Sequence, residues 1–525
     1  MMICKRENVM FMILICFIHD FSWIIRKSII ILFLSFFLLM PSVTWALSLK
    51  DRVNEYTLKN GMKVLMLERH YSPTVSFYMT FKVGSVDEYP EISGTAHLLE
   101  HMLFKGTQSL GTKDFQKEKE ILDEIDKTAI ILDSERLKGK NAEQSTIKRL
   151  EGELRGLQKK HKEHVVKDEI DLIYSKNGAV GFNAATSYDV TTYKVSLPSN
   201  RIELWAKIES DRMLNPVLRE FYSERDVVME ERRQRYESDP DGKLFENFMA
   251  NAFMAHPYRR PIIGWGSVLQ FLNKKDTERF FRTYYAPNNT VVAIVGDINP
   301  PEVLKIIKEY FAQIPPQPIP SRIHIEEPRQ SGERRAKVKF DAKPRLVIGY
   351  HKPTIPDFSD YVFDIIDSIL SKGRTSRFYK NLIEKEEIAV SVDSVNGFPG
   401  ARYQNLFVIL GTPRHPHTNA QLEEAIYKEI DILKREPVSE RELRKVKNQL
   451  QAEFIRRLNS NSGLASMLSY YQSVAGDWRY VEDLLDVIER ITPEDIMEVS
   501  KKYLIDENRT VAELVQKYTE EQGKK

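Results

Sequence analysis

The chain holds only two cysteines in 525 residues, Cys4 and Cys16, and both fall within the first 46 positions. Past that point a disulfide, a thiolate ligand and a cysteine nucleophile are excluded, so any metal must be held by histidine and carboxylate. Long apolar runs are scarce as well. After residue 46 no stretch approaches the ~20 apolar residues that a bilayer-crossing helix needs. Charge of one sign is also missing. The formal net charge is +2, from 77 Lys+Arg against 75 Asp+Glu. Residues 1–46 carry that excess, with Lys5, Arg6, Arg26 and Lys27 against Glu7 and Asp20, so residues 47–525 are formally neutral. Nothing there has the clustered basic excess of a nucleic-acid binder.

With 42% hydrophobic and 29% charged residues, the composition is that of a globular protein, long enough for two or three domains. Residues 1–46 read as a signal peptide: Arg26 and Lys27, an apolar run over residues 29–40, then Thr44-Trp45-Ala46 as a small-residue cleavage site. The expected location is periplasmic or secreted. A second apolar run, residues 9–18, leaves the alternative of an uncleaved anchor, which would be the only tie to a membrane.

Residues 55–84 have strand patterning, with a turn at Asn60-Gly61. A loop over 85–93 follows, and Gly94-Thr95 opens a helix expected to run to about Lys105 and stop at Gly106. Residues 113–165 differ. Leu122, Ile125, Ala129 and Leu132, then Ile147, Leu150, Leu154, Leu157 and His161, step by three and four on either side of Lys138-Gly139-Lys140-Asn141. That spacing predicts a long antiparallel helical hairpin, read either as a solvated arm or as a docking wall over a site. Strands return over 178–197, and helices are expected over 202–214 and 223–236. Pro315, Pro316, Pro318 and Pro320 mark a linker. An internal repeat sets the architecture: Tyr284, Asn289, Val292 and Ala293 recur 219 positions later as Tyr503, Asn508, Val511 and Ala512, in the same order of helix, polar turn and strand. The expectation is two related α+β domains, 47–314 with the hairpin at 113–165 inside it, and 336–520 after a 315–335 linker.

The chemistry lies in His97-Leu98-Leu99-Glu100-His101. On a helix His97 and His101, at i and i+4, share one face and can reach one ion at roughly 2.0–2.1 Å each. Glu100 sits beside that pair, where it can act on a water. Zinc in a catalytic site keeps three protein ligands, so another histidine or carboxylate is needed. The helix over 223–236 offers Glu224, Glu230 and Glu231. Glu224 and Glu231, two turns apart, share a face; either could bind the metal while the other holds a ligand histidine. All three could equally be a solvated face among Arg225, Arg232, Arg233 and Arg235.

The stretch Gly84-Ser85, Glu88, Gly94, then His97 through Thr107 resembles the active-site signature of the insulinase/pitrilysin (inverzincin) metallopeptidases, closest to the two-domain bacterial and mitochondrial processing-peptidase branch. Glu224 through Glu231 is similar to that family's second signature. The resemblance implies that Glu231 is the third ligand of one Zn2+ per chain, Glu224 the acid behind a ligand histidine, and Glu100 the catalytic base. It implies that Asn183 and Ala184 lie on an edge strand that holds a peptide by strand addition, that His256 has no metal role, and that the paired domains form half of a clam-shell chamber. The chain departs from the family pattern in the added length of the hairpin, and in the Arg/Tyr pair expected near residues 405–418, where only Arg414 stands. The implied activity is zinc-dependent endopeptidase cleavage of peptides or unfolded polypeptides, with a homologous partner subunit supplying the substrate-gripping half. The alternative is a non-enzymatic subunit or structural homologue within a larger complex.

Overall fold

The computed structural model describes residues 49–517. The expected leader and the last three residues of the expected second domain lie outside the described residues. Among the described residues no helix is long and apolar enough to cross a membrane.

Two mixed sheets organise residues 53–517. The first is built from β1 (Val53–Thr57), β2 (Lys63–Glu68), β3 (Thr74–Phe81), β4 (Val180–Thr186), β5 (Thr191–Pro198) and β6 (Thr290–Gly296), in the spatial order β1-β2-β6-β3-β5-β4. The second contains β7 (Arg334–Phe340), β8 (Arg345–Lys352), β9 (Ala389–Phe398), β10 (Asn405–Pro413) and β11 (Arg509–Gln516), in the order β7-β11-β8-β10-β9. With the extra edge strand β1 set aside, the two orders are the same. Each contains one parallel pair, β2 with β6 and β7 with β11, and antiparallel pairs elsewhere. No helix or strand lies between Phe311 and Arg334.

The helices that matter for the site are α1 (Thr95–Met102), α2 (Phe115–Leu137), α3 (Gln144–Lys162), α4 (Phe221–Arg232), α5 (Pro240–Ala252), α6 (Lys274–Tyr284), α7 (Phe358–Ser371), α8 (Asn461–Val474) and α9 (Pro493–Tyr503). The repeat read from the sequence coincides with whole elements: α6 and α9, 219 positions apart, have the same length and are each followed by a short turn and then β6 or β11. The halves also exchange helices. α5, from the first half, packs on β7 and β11, and α8, from the second, packs on β3 and β6. The approach of α5 is close enough that a Cβ on Gly349 of β8 would stand 2.4 Å from Phe248. Only glycine fits there.

The hairpin is present as α2 and α3, with Leu122, Ile125, Ala129, Leu132, Leu150, Leu157 and His161 buried along its seam. It is not a free arm. Ile125, Ala129 and Leu157 join the core of the first half, and Lys274 of α6 pairs with Asp126 at 2.8 Å. Two boundaries differ from the sequence reading. α1 ends at Met102, short of Lys105, and the helix expected over 223–236 passes at Arg233 into a π-helical turn ending at Glu237.

Candidate metal centre

α1 starts where Gly94 turns into the left-handed region, φ 97°. Its first backbone N–H groups would be orphans in a buried helix start. Glu88 satisfies two of them, accepting from Gly94 N at 2.9 Å and Ala96 N at 2.7 Å. Burial pushes the Glu88 carboxyl up to about 8 despite those two bonds. Ala96, Leu98, Leu99 and Met102 bury one face of α1 in the core, which turns His97, Glu100 and His101 the other way. The two imidazole centroids lie 4.8 Å apart.

α4 buries Phe221, Tyr222, Arg225, Val228 and Arg232, and so presents Glu224 and Glu231 to α1. His97 Nε2 stands 3.8 Å from Glu231 Oε1, and His101 Nε2 stands 3.7 Å from Glu231 Oε2. One ligand atom from each of the three residues lies within 4.8 Å of the others. These separations are too long for hydrogen bonds. They suit three donors around one ion, since tetrahedral ligands bound at 2.0–2.1 Å sit about 3.3 Å apart. Burial, aided by His101 and Arg235, pushes His97 down to about 3, which leaves a neutral imidazole with a lone pair to offer. The donor set therefore fits a zinc ion.

Glu224 stands behind the cluster. Its Oε1 accepts from His101 Nδ1 at 3.0 Å, fixing the ring so that Nε2 faces Glu231, and its Oε2 takes Lys105 Nζ at 2.7 Å. Burial alone would raise the Glu224 carboxyl, but the bonds from His101 and Lys105 outweigh it and hold it at about 2. Glu230 points away into solvent and pairs with Arg233 at 2.6 Å. Glu100 makes no hydrogen bond or ion pair among the described residues, so its carboxylate is uncommitted. Asn183 and Ala184 lie on β4, which among the described residues pairs with β5 alone and leaves its other side as a sheet edge. The Asn183 side chain accepts from Ala184 N at 2.9 Å. His256 is buried away from the cluster, and its Nδ1 accepts from Tyr258 N.

Several groups that hold the site went unnoticed in the sequence. Arg225 of α4 donates to Asp133 of α2 at 2.7 and 3.3 Å and to Leu272 O at 2.9 Å, tying the helix that bears Glu224 and Glu231 to the hairpin. Arg219, fully buried, donates to Glu118 at 2.7 Å, to Lys105 O at 3.0 Å and to Thr107 O, so it joins the segment after α1 to the hairpin base, where His161 also meets Glu118 at 2.9 Å. Across the halves, Arg402 donates to both oxygens of Asp87 at 2.9 and 3.0 Å and to Asp189 O, while Ala401 N and Arg402 N bond Asp189 Oδ2 at 2.6 and 3.0 Å. An Arg-Tyr pair thus exists just before residues 405–418, as Arg402 and Tyr403, but the arginine is occupied in joining the halves. Arg414 faces Glu387 at 3.5 Å, with both largely exposed. Partners 213 positions apart leave no periodic trace that a sequence reading could follow.

A duplicated α+β fold with two histidines and a glutamate converging from separate helices defines the class of metal-dependent peptidases with an inverted histidine motif. Comparison with known proteins agrees. The family model for insulinase (peptidase family M16) matches residues 63–133 and 157–265, and that for the peptidase M16 inactive domain matches residues 272–450. The chain belongs to the insulinase (M16) peptidase family. The first match passes over residues 134–156, the outer part of the hairpin, and resumes within α3. Zinc protease PqqE of Helicobacter pylori is 27% identical over 466 residues, covering 86% of this chain and 90% of that protein. A crystal structure of a protease from Helicobacter pylori superposes with a TM-score of 0.74 at 25% identity, covering 88% of this chain and 99% of the other. The periplasmic protease PqqL from Escherichia coli shares the fold, with a TM-score of 0.65 at 16% identity. That match covers 89% of this chain but 48% of the other.

Proposed function

We propose that this protein is a zinc-dependent endopeptidase that hydrolyses peptides or unfolded polypeptides. The observation that carries the reading is the convergence of His97, His101 and Glu231 to within 4.8 Å, with the uncommitted Glu100 beside them. His97, His101 and Glu231 would hold one Zn2+ per chain, and Glu224 would keep His101 in the tautomer that frees Nε2. When bound, zinc polarises a scissile carbonyl and makes a water more acidic. Glu100 takes the proton from that water and returns it to the departing amide nitrogen. The edge of β4 at Asn183 and Ala184 pairs with the backbone of an extended peptide, which aligns the bond while asking little of most side chains. For that, Asn183 must release the Ala184 N–H that it now caps.

Support for the metal comes from the zinc proteases among the relatives, and support for a paired assembly comes from the double length of the Escherichia coli neighbour. On this reading a second copy or a homologue supplies the facing half of the chamber. The domains run over 47–314 and 336–520, and the mature protein works in the periplasm or outside the cell. Purified residues 47–525 should cleave a reduced, unfolded polypeptide, and chelation should abolish the cleavage. Full activity in Glu100→Gln would show that the proton transfer has been assigned to the wrong residue.

A further inference from the structure

The second helix of the hairpin turns a charged face outward. Leu150, Leu157 and His161 of α3 are buried in the seam with α2. On the outer side stand Lys148, Arg149, Arg155, Lys159, Lys160 and Lys162, all exposed. Against these six cations the helix holds two acids, Glu151 and Glu153. Arg136 of α2 donates to Glu151 at 2.7 Å, with Arg155 at 3.9 Å, and Glu153 meets Arg149 at 3.4 Å. A third acid, Glu163, caps the end of the helix. Among the described residues Lys148, Lys159, Lys160 and Lys162 form no ion pair.

Helical spacing sorts these cations into rows. Lys148, Arg155, Lys159 and Lys162 lie along one line and Arg149 and Lys160 along another, over a length of about 21 Å. Gly152 and Gly156 lie between them, both exposed. A Cβ at either glycine would meet nothing within 4 Å, so packing inside the chain does not call for glycine there. Glycine is also a poor residue for a helix interior. Two of them one turn apart make a low floor between cationic walls, where another backbone can come close.

Sign and shape select the partner. Walls of one charge attract an acidic segment and repel a second copy of the same face. A lipid surface is entered by apolar side chains. Outward-facing α3 exposes none, and the hairpin's exposed Ile130, Ile131 and Leu137 belong to α2. A helix can repeat acids every three to four residues, the spacing of the rows, and a glycine floor lets it approach. The family model for the peptidase passes over residues 134–156, which include both glycines, so this face lies outside the common machinery. Its base is nevertheless fixed to the first half through Arg219 and Glu118.

We propose that the outer face of α3 is a docking surface for an acidic helix of another protein, gripped by the two cationic rows and seated on Gly152 and Gly156. The proposal is independent of the peptidase reading.

The test uses residues 47–525 and a fluorescein-labelled, Ala-rich peptide of roughly 20 residues with glutamates along one helical face. Fluorescence anisotropy should show saturable binding that weakens about tenfold or more between roughly 0.05 and 0.5 M salt. A central proline, which breaks the peptide helix, should weaken binding by about tenfold. Lys148→Glu/Arg155→Glu/Lys159→Glu should abolish it. Gly152→Leu/Gly156→Leu keeps the charge but fills the floor, and should weaken binding about tenfold or more. All these positions are exposed, so zinc content, peptide turnover and thermal unfolding should match the parent. No binding of the helical peptide, equal binding of its proline-broken form, or binding unchanged in either variant would overturn the proposal. So would tighter association with vesicles of phosphatidylglycerol and phosphatidylcholine than with the peptide.

Discussion

The two halves of the molecule share a strand order and differ in what they place on it. In the first, the helix packed near edge strand β4 is α1, with His97, Glu100 and His101 on its free face. In the second, the helix packed on the corresponding edge strand β9 is α7, which has no histidine. Its polar residues there are Asp360, Asp364 and Asp367. Lys352, itself buried, pairs with Asp360, Asn396 donates to Asp364 at 2.8 Å, and Ser394 donates to Asp367 at 2.5 Å. The first half sets His97 Nε2 and His101 Nε2 at 3.8 and 3.7 Å from Glu231, separations an ion can bridge, while Glu224 holds His101 Nδ1 and Arg235 reaches Glu231 Oε1 at 2.9 Å. In the second half each of these three aspartates is held by a side chain of the same half. The Arg402 contacts to Asp87 and Asp189 bind the two halves together.

The comparison can be broken in graded steps. The largest effect is expected from Glu100→Gln: cleavage falls by about 10³-fold or more while zinc content is unchanged, as measured by peptide turnover and elemental analysis. Next comes Glu224→Ala, which frees His101 to rotate and should weaken zinc by about 10–100-fold in a chelator competition. Arg402→Ala leaves Asp87 buried without its ion-pair partner. It should lower stability by about 3–5 kcal/mol, read from denaturant unfolding, with zinc affinity unaltered.

The smallest effect on activity, under about twofold, is expected from Asp364→Asn in the second half, and its signature is in pH. Burial, with Asp360 alongside, pushes the Asp364 carboxyl up to about 7 from the usual carboxylate range. The folded state therefore holds a proton that the unfolded chain releases. The stabilisation is full below about pH 4 and is lost as pH rises through about 7. Asparagine never ionises, so the variant should gain stability relative to the parent between pH 5 and pH 8. An equal change at both pH values would mean that the carboxyl is not strained in the fold.

Local signals carried far in the sequence. The His97/His101 spacing, the hairpin seam through Leu122 to His161 and the 219-position repeat all correspond to features of the fold, because helical periodicity and duplicated order are written in adjacent residues. The choice between Glu224 and Glu231 was not legible from spacing, since both share a face of α4. It took the resemblance to order them, and the coordinates then put Glu231 against both Nε2 atoms and Glu224 against Nδ1. The exchange of α5 and α8 between halves, the Arg219–Glu118–His161 cluster and the Arg402 latch stayed hidden. Each depends on partners tens to hundreds of positions apart, chosen by tertiary packing. The early end of α1 has a similar origin: Arg219 holds Lys105 O and Thr107 O outside the helix.

The most direct measurement is the metal content of purified residues 47–525 across the two halves. The account predicts one zinc per chain in the parent and in Asp364→Asn, and none in His97→Ala/His101→Ala. Zinc retained at full stoichiometry after both imidazoles are removed, or a parent that binds none, would contradict it.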